Sequence, residues 1–193
     1  MRVVCLIVAG ALALASCTPD FAKQNDSNVI IRVRSVEATA GGEGQGGAFL
    51  LSDVHDTKGG NFNDNVVVTV ENIPKNNNVG NLGKFNDVLL EQYDIRYVRS
   101  DGRAVEGVDV PYRITGQLSA LVPVDGNAAV AFVVVRHQAK DESPLVNITG
   151  NAGAEVLTVF AHITLYGHTT SGKAVQTTAT LSITFGDFVK ATA

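Results

Sequence analysis

Leu157-Thr-Val-Phe-Ala-His-Ile-Thr-Leu165 and, a short turn later, Val175-Gln-Thr-Thr-Ala-Thr-Leu-Ser-Ile-Thr-Phe185 decide the fold class of this 193-residue chain. In the first stretch Leu157, Val159, Ala161, Ile163 and Leu165 are apolar at every second position. In the second, Val175, Ala179, Leu181, Ile183 and Phe185 repeat that spacing while Gln176, Thr178, Thr180, Ser182 and Thr184 form a polar face. Period-two alternation places successive side chains on opposite faces of a strand, so each stretch reads as a β-strand with one buried face. A turn at Thr170-Ser171-Gly172 sets Leu165 opposite Thr177, Ile163 opposite Ala179 and Ala161 opposite Leu181. That register keeps both apolar faces on one side, as a half-buried hairpin requires.

Working outward, the same period appears almost everywhere after Val29 and a helical stripe almost nowhere. Tyr93, Ile95 and Tyr97 lead into Ser100-Asp101-Gly102, a turn sequence, with Val105 to Val110 as the expected return strand. Tyr112, Ile114, Leu118, Ala120, Val122 and Val124 alternate up to Asp125-Gly126, and Ala128 to Val135 follows as the second arm of another hairpin. Because Ala128 to Val135 is apolar at odd and even positions alike, both of its faces should be covered, which predicts a central strand. Val29 to Arg34, Ala48 to Leu51 and Val66 to Val70 add shorter strands. About eight or nine strands punctuated by turns predict an all-β, antiparallel β-sandwich, immunoglobulin- or fibronectin-like in architecture, over residues 29–193. The analogy is one of pattern, since the chain has no tryptophan and lacks the cysteine pair of antibody domains.

The first residues are of another kind. Met1-Arg2 is a short basic end, and Val3 to Leu14 is an uncharged apolar run, too short to cross a bilayer, which needs ~20 apolar residues. Residues 1–16 therefore read as a secretory signal peptide. Leu14-Ala15-Ser16-Cys17 resembles the lipobox of bacterial lipoprotein precursors. The resemblance implies cleavage before Cys17 and attachment of diacylglycerol to its sulfur, chemistry that needs a thiol nucleophile. It further implies a second acylation at the new amine, and two acylations make a stable membrane anchor. In bacteria with two membranes, aspartate after the lipidated cysteine favours retention at the inner membrane; Thr18 stands here, which implies the outer membrane. Residues 17–28, polar and without periodicity, read as a tether.

Composition narrows the chemistry. A formal charge of −4 argues against nucleic acid as a partner. No cysteine follows Cys17, so the exported chain has no intramolecular disulfide, no cysteine nucleophile and no thiolate zinc site. Neither G-x-S-x-G nor H-E-x-x-H occurs, which removes the commonest hydrolase signatures. The glycine cluster Gly41 to Gly47 is followed by Ala48-Phe49-Leu50, not by the lysine and hydroxyl of a phosphate loop, and reads as an inter-strand loop.

Three candidate features remain. Asp53, Asp56 and Asp64, with Asn61, Asn63 and Asn65 nearby, gather hard oxygen donors suited to calcium, although Asn and Asp also favour turns on their own account. His137 lies among charged residues where a strand ends, a position more typical of a solvated strand end than of a general base. Phe160, His162 and Tyr166 occupy the even face of the opening strand beside Ser182, Thr180 and Gln176, and form an aromatic and hydroxyl stripe suited to a glycan or a partner protein if it faces outward. The expectation is a membrane-anchored envelope lipoprotein with a non-catalytic structural or binding role. A glycan-binding lipoprotein and an envelope hydrolase with a site assembled from distant loops are the alternatives.

Overall fold

The hairpin that decides the fold class forms in the predicted register. In this computed structural model, which describes residues 26–41, 46–55, 61–76, 82–151 and 153–188, the strands Val156–Thr169 and Ala174–Gly186 pair antiparallel with Leu165 opposite Thr177, Ile163 opposite Ala179 and Ala161 opposite Leu181. Gly172 closes the turn at φ +83°, a conformation glycine adopts without a Cβ penalty. The signal peptide, Cys17, the tether as far as residue 25, Gly42 to Gln45, Asp56, Asn77 and Asn78 lie outside the described residues.

In chain order the strands are β1 (Val29–Thr39), β2 (Gly46–Gly47), β3 (Phe49–Asp53), β4 (Asp64–Pro74), β5 (Val88–Arg99), β6 (Ile114–Val122), β7 (Asn127–Val135), β8 (Val156–Thr169) and β9 (Ala174–Gly186). They form two sheets, a four-stranded one ordered β2-β1-β4-β7 and a five-stranded one ordered β3-β9-β8-β5-β6. The chain is thus an all-β sandwich. β1, β4 and β7 take the places of strands A, B and E of the immunoglobulin plan, and β6, β5, β8 and β9 those of C′, C, F and G. The inner faces meet in a core of Val66, Val68 and Val70 from β4, Phe132 and Val134 from β7, and Ile163, Leu165, Leu181, Ile183 and Phe185 from β8 and β9. Burying each such side chain stabilises by about 1.5–3 kcal/mol, which is what a disulfide-free sandwich depends on.

Four expectations change. Val105 to Val110 is no strand: Gly107 turns at φ +74°, Val105 and Val108 are exposed, and the return strand beside β5 is β6. β6 and β7 form no hairpin, because Asp125-Gly126 carries the chain from one sheet to the other, β6 pairing with β5 and β7 with β4. β7 lies at the edge of its sheet, not the centre. Its apolar outward positions are the small, exposed Ala129 and Ala131 and the half-buried Val133, while its inward ones are Val130, Phe132 and Val134. A run of alanines on a solvated face imitates a two-sided burial pattern. Lastly, β3 runs parallel to β9, so one ladder of the sandwich is not antiparallel.

Two bulges also shift the phase of the alternation. In β5 the register slips at Glu91, so even-numbered Val88 and Leu90 and odd-numbered Ile95 and Tyr97 all face the core. In β1 the slip at Arg34 does the same for Val29 and Ile31 on one side and Ala38 on the other. Tyr93 stacks on Phe132 of the facing sheet with ring centroids 4.3 Å apart, while the Tyr97 hydroxyl donates to the Val134 carbonyl at 2.5 Å. Burial away from water drives that phenol well above the ordinary tyrosine range.

The β5–β6 connection is organised by charge. Arg103 donates through Nε and Nη2 to Asp101 Oδ2 at 2.9 and 2.8 Å, and Arg99 Nε lies 3.2 Å from the same oxygen. The hydrogen bond from Arg103, more than any other cause, holds the Asp101 carboxyl below its usual range. In Arg103→Gln the Asp101 titration midpoint, followed by carbon-detected NMR, should rise towards that of an ordinary aspartate. An unmoved midpoint would show that the pair does not persist in solution.

Candidate functional site

The outward face of the five-stranded sheet is set by the even positions of β8. Its odd positions are spent on the core, so Phe160, His162, Thr164 and Tyr166 must face away from it. The structure brings the three nominated residues, Phe160, His162 and Tyr166, onto this one face. Phe160 is 39 % exposed, with Ser182 beside it on β9 and Val98 beside it on β5. His162 is half-buried between Thr180 and Arg96, its Nδ1 3.3 Å from the Thr180 hydroxyl. Tyr166 is half-buried between Gln176 and Gln92. Hydroxyl pairs run alongside, Thr158 with Thr184 at 3.2 Å and Thr164 with Thr178 at 3.3 Å.

Sequence reasoning missed the other half of this face. Because β3 pairs with β9, Phe49 falls opposite Ser182 and Leu51 opposite Thr184, extending the Phe160 row to the sheet edge as Val98–Phe160–Ser182–Phe49. Phe49 is 62 % and Leu51 52 % exposed. Val156 is exposed at the same end, and the Phe188 ring lies across Gly186, where a Cβ would fall 2.9 Å from it. The face therefore grades from an apolar end to a threonine-rich one. Alternation in Phe49-Leu-Leu-Ser52 does place Phe49 and Leu51 on a common side. Nothing local, however, says that β3 lies beside β9.

The oxygen-rich segments resolve differently. Asp64, first residue of β4, is fully buried, and its carboxylate is engaged within the fold: Oδ1 accepts from the Gly41 amide at 2.8 Å and Oδ2 from the Ser52 hydroxyl at 2.6 Å. Lys140 Nζ lies 3.2 Å from Oδ1 and 3.1 Å from Oδ2, and is itself buried. The cation beside Asp64 is thus an ammonium supplied by the chain. Asp53 ends β3 and accepts from the His55 amide at 3.1 Å. No group of three or more His, Cys, Asp or Glu side chains suited to a metal ion occurs among the described residues. His137 has an amide partner in place of a carboxylate: its backbone N–H donates to Asn63 Oδ1 at 2.7 Å, and its Nδ1 lies 3.1 Å from the same oxygen.

No characterised protein family and no curated protein matches the chain. Among solved structures it is similar to the one described as "X-ray structure of Northeast Structural Genomics Consortium target SoR45", with 8% sequence identity and a TM-score of 0.42 over 86% of this chain and 93% of that one. No helix among the described residues is long and apolar enough to cross a membrane.

Proposed function

We propose that the chain is a cell-envelope lipoprotein, held to the outer membrane by acyl groups on Cys17, whose immunoglobulin-like sandwich serves a non-catalytic structural or binding role. Leu14-Ala15-Ser16-Cys17 supports the anchor, and Thr18 the outer membrane. The observation that carries the binding role is the row Val98–Phe160–Ser182–Phe49, with Phe160 and Phe49 exposed, Val98 and Ser182 half-buried, and exposed Leu51 and Val156 at its end, on a sheet whose other face is the core. Contiguous exposed apolar surface rimmed by polar groups is a feature of interaction sites. The threonine and glutamine rim also suits a glycan, which takes hydrogen bonds at its hydroxyls and aromatic stacking at its ring faces.

The anchor is tested by expressing the chain in a bacterium with two membranes. The wild type should fractionate with the outer membrane and carry fatty acyl mass at its amino terminus, and Cys17→Ser should lose both. An unchanged membrane fraction for Cys17→Ser would dismiss the anchor. Loss of glycan-array binding in Phe160→Ala and Tyr166→Ala would identify the ligand as carbohydrate; a protein partner leaves the array blank.

A further inference from the structure

A second feature lies between the sheets, on the side where β6 and β7 form their edges. The residues entering β6 and those leaving β7 enclose a cleft of about 380 Å³, lined among others by Tyr112, Arg113, Arg136, Gln138 and Glu142. This is within the size range of small-ligand sites. Its walls are firmly held. Ile114, next to Arg113, is in the core, and the Tyr112 phenol packs against Gly107, where a Cβ would fall 2.4 Å from its oxygen. On the opposite wall the Arg136 carbonyl accepts from the Ala139 amide at 3.1 Å, starting the helical turn His137–Lys140. That turn is pinned at its two ends by the His137–Asn63 hydrogen bond and the buried Lys140–Asp64 ion pair.

The cleft holds two cationic side chains without a carboxylate partner. Arg32, Arg96, Arg99 and Arg103 each have a carboxylate within ion-pairing distance, whereas Arg34, exposed on β1, has none among the described residues. Among the described residues neither Arg113 nor Arg136 makes an ion pair, although Glu142 lines the same cleft. Arg113 and Arg136 both line this space, and a guanidinium supplies the planar donor fork that carboxylates bind best. Glu142 accepts hydrogen bonds from hydroxyls and opposes a second negative charge, and Gln138 both donates and accepts. Tyr112, 56 % exposed with its hydroxyl end held, offers a fixed ring face to the C–H face of a sugar.

We propose that this cleft binds an acidic sugar residue of the uronic acid class. The carboxylate is taken by Arg113 and Arg136, the hydroxyls by Gln138 and Glu142, and the ring by Tyr112. Both arginines are exposed, so affinity is in the millimolar range and falls with salt. The site uses neither the Cys17 anchor nor the Phe160 face.

The test uses the full chain in detergent, titrated separately with glucuronate, glucose and inorganic phosphate by ligand-observed NMR. Glucuronate should bind saturably, at least tenfold more weakly in the Arg113→Gln/Arg136→Gln variant and several-fold more weakly in Tyr112→Ala, with unfolding temperatures unchanged; glucose should bind at least tenfold more weakly than glucuronate. Absent glucuronate binding, or equal binding by the double arginine variant, overturns the site. Phosphate binding as tight as glucuronate binding, indifferent to Tyr112→Ala, overturns the sugar assignment.

Discussion

Lys140→Met should lower the unfolding free energy by about 3–5 kcal/mol, measured by urea denaturation near neutral pH. Lys140 and Asp64 are 2 % and 1 % exposed at their side chains, so removing the ammonium leaves a buried carboxylate without its counter-charge. The Gly41 amide and the Ser52 hydroxyl still donate to Asp64, but two hydrogen bonds do not replace a cation in a low-dielectric interior. Through those bonds Asp64 joins the end of β1, the edge strand β3, its own strand β4 and the β7–β8 connection, which explains why one substitution should matter so much. In Asp64→Asn/Lys140→Met neither charge remains, and the loss should fall well short of the sum of the two single variants. A loss below about 1 kcal/mol for Lys140→Met would show that the pair does not clamp these elements.

Gly167→Ala should cost about 3 kcal/mol or more, near the upper end for overpacking, because the obstacle is backbone. A Cβ at Gly167 would fall 2.2 Å from the Leu89 carbonyl oxygen and 2.9 Å from the Leu90 Cα, and neither atom can move aside by rotating a side chain. Gly167 pairs with Leu90 where β5 bulges at Glu91, so the close approach is the local cost of a slip that turns Ile95 and Tyr97 into the core. At about 2–4 °C per kcal/mol for a domain of this size, the melting temperature should drop by roughly 6–12 °C. Gly83→Ala is the control: a Cβ there meets nothing within 4 Å, and the change should stay within about 0.5 kcal/mol. Equal melting temperatures for the two variants would refute the close β5–β8 approach.

The legibility of the candidate face divides along β8. Phe160, His162 and Tyr166 could be assigned to one outward face because their neighbours in sequence, Val159, Ala161, Ile163 and Leu165, are apolar and must be buried. Phe49 and Leu51 could not be joined to them, since a parallel ladder between β3 and β9 connects residues more than a hundred positions apart with no turn to announce it. The partner of Asp64 was illegible for a related reason. Among Asn61, Asn63 and Asn65, Asp64 reads as one more loop oxygen, yet its partner Lys140 arrives from 76 positions away.

Alternation and turn chemistry alone determined the all-β class, the β8–β9 hairpin and its register, because each depends only on neighbours along the chain and on the two-residue repeat of a strand. Tertiary structure decided which sheet takes β6 and which takes β7, the edge position of β7, the bulges at Arg34 and Glu91 and the burial of Asp64 with Lys140. Those choices are made by packing two faces into one core and by pairing a charge once it is cut off from water, and both depend on which distant segments meet.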